Sequence, residues 1–236
     1  VSYGLKGISA AAYVPGQGLW LGASGISSET ENVNTDMLFS SGSITKNFMA
    51  ALILQLEEAD SLNLDDQIGN WLPVFVNINN SITVRQLLDH TSGLYNVTDN
   101  PAFSAAINSN LNRIWTAEEI LNSGLVLTPY FAPGTSWHYS NTNYIIIAYI
   151  INKIMHTDLS EQLHARFFTP LNMNESFFEV QDTITMPYAH NWVDLNGDGI
   201  LDDASSVPTT AIYSATVGAG GVTSRPENLV KWQRAL

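Results

Sequence analysis

The chain has 236 residues, of which 45% are hydrophobic and 13% are charged, and its formal net charge is −13. This length and apolar content suffice for a substantial core, and a negative charge without any basic cluster argues against nucleic acid and anionic membrane surfaces as partners. The lack of cysteine excludes disulfides, thiolate zinc sites and a cysteine nucleophile. No apolar run reaches membrane-spanning length, so the sequence predicts no transmembrane segment.

The first predicted elements are a β-hairpin and a buried helix. Two short apolar runs, residues 8–14 and 19–25, flank Pro15-Gly16-Gln17-Gly18, which is a turn signal. Residues 48–56 are almost entirely apolar, which predicts a helix buried on most of its circumference. Gly42 and Ser43 mark the start of this helix.

The first turn of this helix carries a serine and a lysine. Ser43 and Lys46 are three positions apart, so both side chains project from the same face. Free amides and the helix dipole favour negative charge on a serine oxygen there. Desolvation lowers the pKa of a lysine, which lets the amine accept a hydroxyl proton. The pattern therefore predicts a nucleophile and its base; the alternative is a capping serine followed by a lysine that reaches solvent.

The middle of the chain is predicted to be mainly helical. Thr83 and Thr116 are predicted N-caps, and residues 143–153 and 159–168 have helical patterns. A turn and a short helix are expected before Pro73.

A second polar motif follows an irregular loop that contains Pro133-Gly134. Tyr139-Ser140-Asn141 precedes a predicted buried helix, which would hold a phenol and an amide at a fixed place in a cleft. A phenol beside a lysine can relay protons, and an amide offers a donor and an acceptor to a substrate. The alternative is a turn asparagine beside a packed tyrosine.

Four motifs, in this order, resemble those of the serine β-lactamase and penicillin-binding protein superfamily. They are Ser43-Ile44-Thr45-Lys46, residues 87–94 (Leu-Leu-Asp-His-Thr-Ser-Gly-Leu), Pro133-Gly134 before Tyr139-Ser140-Asn141, and residues 218–224 (Gly-Ala-Gly-Gly-Val-Thr-Ser). The Tyr-x-Asn form is similar to that of the branch that holds class C β-lactamases, D-alanyl-D-alanine carboxypeptidases, D-aminopeptidases and β-lactamase-like esterases.

The resemblance implies an α/β (α+β) fold of the β-lactamase/transpeptidase-like type, an antiparallel sheet flanked by helices with a mainly helical second lobe. One catalytic domain would cover residues 1–236. Residues 1–60 and 211–236 would form parts of the α/β lobe, and residues 61–210 the mainly helical lobe. The family's third motif, Lys or His followed by Thr-Gly, is expected after the helix that begins at Pro226. We therefore expect the C-terminal strands of the sheet in a longer polypeptide.

By resemblance, four residues would form the active site without a metal. Ser43 would be the acylated nucleophile, with its backbone amide as half of an oxyanion hole. Lys46 would be the base or a proton shuttle, Tyr139 would pass a proton to the leaving group, and Asn141 would hold the acyl side chain of the substrate. How Lys46 and Tyr139 divide the base role stays open.

Two histidines invite comparison with a Ser-His-Asp triad. The sequence has no Gly-x-Ser-x-Gly elbow, which such a triad on an α/β-hydrolase fold requires. His90 is therefore predicted to fix a helix end, and His138 is also assigned a structural role.

The resemblance implies a serine hydrolase that acts on amide or ester bonds, first of all a D-Ala-D-Ala carboxypeptidase or D-peptidase-like penicillin-binding enzyme. A β-lactamase or carboxylesterase is the alternative, and a non-catalytic binding protein on the same fold is a second one. The expected partners are a small molecule or peptidoglycan peptide as substrate, and β-lactams. Because peptidoglycan lies outside the cytoplasm, a secreted or periplasmic location is expected.

An acidic loop near the C-terminus has the pattern of a calcium site. Asp194, Asn196, Asp198, Ile200 and Asp202 occupy positions one, three, five, seven and nine of an EF-hand-type loop. Ser205 stands at position twelve, where a bidentate acid is expected. The sequence thus predicts a structural calcium, with an Asx-rich turn that needs no metal as the alternative.

Overall fold

The computed structural model describes residues 4–236 as short antiparallel strands and a set of helices packed around a mainly helical core. The strands are β1 (Gly7–Val14), β2 (Gly18–Gly25), β3 (Phe39–Ser40), β4 (Ser176–Phe178), β5 (Trp192–Val193), β6 (Asp202–Asp203) and β7 (Val222–Ser224). The α-helices are α1 (Thr45–Glu58), α2 (Val84–Leu88), α3 (Pro101–Ser109), α4 (Ala117–Asn122), α5 (Asn141–Met155), α6 (Leu159–Leu163), α7 (Thr210–Ala215) and α8 (Pro226–Ala235).

The predicted hairpin is confirmed. Strands β1 and β2 pair antiparallel from Gly7 opposite Gly25 to Val14 opposite Gly18. The turn between them contains Gly16 at a φ of 80°, a left-handed conformation that glycine adopts without steric cost. Helix α8 packs against β1, and the guanidinium of Arg234 lies 3.6 Å from the centre of the Tyr13 ring.

A second sheet lies beside the start of α1. Its strand order is β3-β7-β4, and both pairs are antiparallel. Strand β4 falls within residues 61–210, the range predicted as the mainly helical lobe, yet it belongs to this sheet. Three residues are too few for an alternating pattern to appear in the sequence. The division of the chain into two lobes stays a prediction.

The hydrophobic core is built around α1 and α5, which pack against each other. In α5 every residue from 142 to 151 is buried, so its apolar surface surrounds the helix instead of forming a stripe. Within α1, the Phe48 ring stacks on Trp232 at 4.2 Å and lies in a T-shaped arrangement with Phe168 at 5.8 Å. These aromatic contacts fix α1, and thereby the serine and lysine at its start.

The predicted N-caps are confirmed as two capping boxes. Thr83 exchanges hydrogen bonds with Gln86 at the start of α2, and Thr116 does so with Glu119 at the start of α4. Helices α3 and α7 have no counterpart in the sequence prediction. They pack against each other through short segments rich in small residues, whose helical periodicity is weak.

The helices of residues 4–236 all lack the combination of length and apolar character that crossing a bilayer requires.

Candidate active site

The start of α1 is tied to strand β7. A single 3₁₀ turn, Gly42–Ile44, runs directly into α1 and carries Ser43 at an exposed position. The Ser41 hydroxyl donates to the backbone carbonyl of Val222 at 2.7 Å, and the Thr45 hydroxyl accepts from the Val222 amide at 3.0 Å. The Ser43 amide lies in the first turn, where helix geometry leaves amides without an intrahelical acceptor.

Lys46 lies in a pocket of oxygen atoms. Its Nζ is 3.1 Å from Ser43 Oγ, 2.8 Å from Asn141 Oδ1 and 2.8 Å from the backbone carbonyl oxygen of Ala219. The residue is only 6% exposed. Burial lowers the pKa of Lys46 to about 8 because the charged form loses its hydration. A minor fraction of this side chain, roughly a tenth to a fifth, is therefore neutral near physiological pH, far more than for an exposed lysine.

Tyr139 stands on the other side of the serine. Its hydroxyl is 2.7 Å from Ser43 Oγ and donates to Asn141 Oδ1 at 3.3 Å. The Lys46 ammonium also lies 4.9 Å from the centre of the Tyr139 ring. The structure thus brings together all four residues that the sequence predicts for catalysis and substrate binding.

His90 supports the Tyr139 segment. It ends α2 at a φ of 62°, and its Nδ1 accepts from the Ser140 amide at 3.2 Å and from Asn143 Nδ2 at 3.0 Å. Its ring lies 4.7 Å from that of Tyr139. Burial, with a smaller effect from the charge of Lys46, lowers the pKa of His90 to about 4, so the ring is neutral at physiological pH. These contacts agree with the predicted structural role.

His138, like His90, makes no hydrogen bond with Ser43 Oγ. Its ring stacks on Tyr130 at 3.9 Å, and its Nδ1 lies 2.8 Å from the backbone carbonyl of Tyr139. Within residues 4–236, the side-chain partners of Ser43 Oγ are Lys46 and Tyr139 and no histidine.

Three contributors to the site were not assigned to it from the sequence. The Ala219 carbonyl is a backbone group, for which only the neighbouring glycines give a signal. Asn96 and Thr98 both contact Asn141. The backbone amide of Asn141 donates to Asn96 Oδ1 at 2.9 Å, and the side-chain Nδ2 of Asn141 donates to Thr98 Oγ1 at 2.9 Å. Their position shortly after the predicted helix-ending motif is the one available signal.

The acidic loop predicted to hold calcium connects β5 and β6. Asp194 Oδ1 accepts from the amides of Gly197 and Asp198, and Asp194 Oδ2 accepts from Gly199. Asn196 and Asp198 accept from amides two residues on. In the part of the chain that the structure describes, no three or more His, Asp or Glu side chains form a group suited to a metal ion. The loop therefore has the hydrogen bonds of an Asx-rich turn, and calcium binding stays a prediction.

The sequence model of the Beta-lactamase family matches residues 1–236. The chain belongs to this family. Penicillin-binding protein 4* of Bacillus subtilis (strain 168) is 30% identical over 221 residues, which are 88% of this chain and 47% of that protein. Penicillin-binding protein 4 of Amycolatopsis lactamdurans is 30% identical over 148 residues, 61% of this chain and 37% of that protein. The chain thus spans about half the length of these curated relatives or less.

Solved structures agree with membership in the Beta-lactamase family. A D-stereospecific amidohydrolase from Streptomyces sp. has a TM-score of 0.85 and 30% identity, covering 98% of this chain and 68% of that chain. The D-amino acid amidase from Ochrobactrum anthropi SV3, in complex with L-phenylalanine, has a TM-score of 0.83 and 27% identity, covering 98% and 64%. The predicted superfamily and the predicted α/β fold with antiparallel strands are confirmed.

Proposed function

We propose that this protein is a serine hydrolase that cleaves amide bonds beside D-configured residues through an acyl-enzyme on Ser43, as a D-peptidase of the penicillin-binding type. The observation that carries the proposal is the position of Ser43 Oγ, 3.1 Å from the amine of Lys46 and 2.7 Å from the hydroxyl of Tyr139. These distances suit proton transfer in both directions, and the lowered pKa of Lys46 supplies a neutral amine as the base.

Acylation would proceed in two stages. Lys46 takes the hydroxyl proton while Ser43 Oγ forms a bond to the carbonyl carbon of the substrate, and the Ser43 amide donates to the resulting oxyanion. When the oxyanion collapses, the carbon–nitrogen bond breaks and the leaving amine takes a proton from Tyr139, which recovers one from Lys46. Water then attacks the ester carbonyl while Tyr139 accepts its proton and passes one to Lys46. The ester bond to Ser43 Oγ breaks, Oγ takes a proton back from Lys46, and the acid is released.

Asn141 fits both a positioning role and a substrate-binding role. Its Oδ1 accepts from Lys46, and one hydrogen of its Nδ2 goes to Thr98. The second hydrogen on Nδ2 stays available for a carbonyl oxygen of the substrate's acyl portion. We propose that Asn141 uses it in this way. No step requires a metal or other cofactor.

The choice of amide substrates rests on the relatives. Two similar solved structures are named as a D-stereospecific amidohydrolase and a D-amino acid amidase, and two curated relatives are named as penicillin-binding proteins. These names support a D-peptidase over a β-lactamase or a carboxylesterase. A peptidoglycan peptide as substrate would place the enzyme outside the cytoplasm, secreted or in the periplasm.

Intact-protein mass after incubation with a fluorescent penicillin tests the proposal, with Ser43→Ala as the matched variant. We expect a persistent adduct on the full-length protein that Ser43→Ala abolishes. We also expect release of nitroaniline from D-alanine p-nitroanilide and much less from the L-isomer. A short-lived adduct with rapid turnover of penicillin would favour a β-lactamase, and hydrolysis of nitrophenyl esters alone would favour an esterase. If the folded protein forms no adduct and hydrolyses neither substrate, the result would favour a non-catalytic binding protein.

A further inference from the structure

A chain of hydrogen bonds runs from the surface to Lys46 through two side chains outside the four predicted site residues. Asn96 Nδ2 donates to Asp99 Oδ1 at 2.8 Å, and the Thr98 hydroxyl donates to Asn96 Oδ1 at 3.1 Å. Thr98 Oγ1 in turn accepts from Asn141 Nδ2 at 2.9 Å. Asn96 is 6% exposed, so its polar atoms depend on these partners.

We propose that Asn96 and Thr98 are positioning residues that fix which end of the Asn141 amide faces Lys46. The inference rests on the proposed function, because it assigns these residues to the activation of Ser43.

The direction of each hydrogen bond in this network follows from groups that can only donate or only accept. A backbone amide can only donate, so the Asn96 atom that meets the Asn141 amide at 2.9 Å must be the oxygen. An ionised carboxylate can only accept, so the Asn96 atom that meets Asp99 must be the nitrogen. The backbone and the carboxylate therefore set the orientation of the Asn96 amide from both sides.

This orientation determines the next two bonds. Asn96 Oδ1 is an acceptor, so the single hydrogen of the Thr98 hydroxyl points toward it. A lone pair of Thr98 Oγ1 is then left for Asn141, which must present its nitrogen there. The Asn141 oxygen consequently faces Lys46 Nζ at 2.8 Å.

The chemical consequence concerns the lone pair of neutral Lys46. A neutral amine has two hydrogens and one lone pair, and two acceptors, Asn141 Oδ1 and the Ala219 carbonyl, lie 2.8 Å away. When both hydrogens go to these oxygens, the lone pair points to the third neighbour, the Ser43 hydroxyl at 3.1 Å. A reversed Asn141 amide would donate its own hydrogen to this lone pair and compete with Ser43.

Thr98→Val tests the proposal because it keeps the shape of the side chain and removes the hydroxyl. We expect the rate of Ser43 acylation by a fluorescent penicillin to fall about tenfold, since one determining hydrogen bond is lost. A nitrogen of Asn141 facing Lys46 favours the neutral amine, so the apparent pKa of the acylation rate should move below the value of about 8. Thr98→Ser, which retains the hydroxyl, should restore the wild-type rate and profile.

The direction of the pKa change separates positioning from general damage. A loosened site would let water reach Lys46 and raise its pKa toward the ordinary value of 10.5. The titratable groups Tyr139, Tyr144 and His90 face Lys46, and the Thr98 variants leave all three intact.

Four outcomes decide the matter. A slower Thr98→Val with a lower apparent pKa, rescued in Thr98→Ser, supports the proposal. An unchanged rate and profile in a folded Thr98→Val overturns it, and so does a raised apparent pKa. If wild-type protein forms no adduct that depends on Ser43, the proposed function itself has failed. If Thr98→Val does not fold, Thr98→Ala is measured in its place against the same Thr98→Ser control.

Discussion

Lys46 Nζ donates a 2.8 Å hydrogen bond to the backbone carbonyl of Ala219, which follows it by 173 positions in the chain. This contact joins the first turn of α1 to the glycine-rich turn before β7. A side-chain substitution at Ala219 leaves the backbone carbonyl in place, so the position of this oxygen depends on the geometry of the turn. Gly218, at a φ of 78°, is the residue that shapes this turn.

We expect Gly218→Ala to destabilise the protein strongly. A Cβ at this position would lie 2.6 Å from the Tyr144 carbonyl oxygen and 2.8 Å from Ala148 Cβ, in addition to the strain of a left-handed backbone. The free energy of unfolding should fall by about 3 kcal/mol, measured by urea denaturation.

Gly16→Ala is the matched control for this substitution. Gly16 has a nearly equal φ of 80°, but a Cβ there meets no atom within 4 Å. We expect a loss of about 1 kcal/mol from backbone strain alone. Equal losses in Gly16→Ala and Gly218→Ala would show that close packing at Gly218 is unimportant.

The rate of acylation should depend on the ionisation of Lys46. Only the neutral amine can accept the Ser43 proton, and its pKa is about 8. Below that pH, kcat/KM should fall about tenfold for each pH unit, and above it the profile should level off. A pH profile with a D-alanine p-nitroanilide measures this, and a rate independent of pH from 6 to 9 (roughly two units below the pKa to one above it) would contradict the assignment of Lys46 as the base.

Lys46→Arg tests the same assignment by substitution. A guanidinium stays charged over the whole accessible pH range, so it cannot serve as the base. Activity should fall by about 10²-fold or more at every pH. Retained activity with the same pH profile would exclude Lys46 as the titrating group.

Tyr139→Phe removes the hydroxyl 2.7 Å from Ser43 Oγ. Because proton delivery to the leaving amine is lost, kcat for amide substrates should fall by about 10²-fold. Tyr149→Phe, a buried α5 tyrosine whose ring lies 4.9 Å from Lys153, controls for the loss of a phenol elsewhere. Equal kcat values for the two variants would remove Tyr139 from the mechanism.

His90 should make the protein sensitive to acid. Its pKa is about 4 in the folded state against 6.5 in an exposed reference, so between these values the unfolded chain binds more protons. Stability is therefore complete above about pH 6.5 and is lost as the pH falls toward 4. His90→Asn, which tolerates the positive φ, should flatten this part of a plot of melting temperature against pH.

His156→Asn controls for the backbone effect of this substitution, because His156 also ends a helix, α5, at a φ of 57°. An unchanged pH dependence in His90→Asn would show that another group causes the acid sensitivity.

The acidic loop between β5 and β6 can be tested directly for calcium. Asp198→Asn can keep the hydrogen bond that Oδ1 of residue 198 accepts from the Ile200 amide while removing a charge that an ion would need. Calcium binding predicts heat and a higher melting temperature with millimolar calcium, both reduced in Asp198→Asn. Calorimetry without heat or a shift would leave an Asx-rich turn.

Several local features of this protein were predictable because their causes lie within a few residues. The Pro15-Gly16-Gln17-Gly18 turn, the capping boxes at Thr83 and Thr116, and the common face of Ser43 and Lys46 all depend on sequence neighbours. Strand β4 and helices α3 and α7 were missed because short elements form through contacts with distant partners.

The sequence by itself determined the residue types of the candidate site and their order, since a serine and a lysine one helical turn apart must share a face. Only the tertiary structure decided what surrounds the lysine. The Ala219 carbonyl belongs to a turn distant in the chain, and Thr98 reaches Asn141 across 43 positions. Hydrogen-bond direction is a property of the assembled network, because each donor and acceptor is fixed by partners that folding brings together.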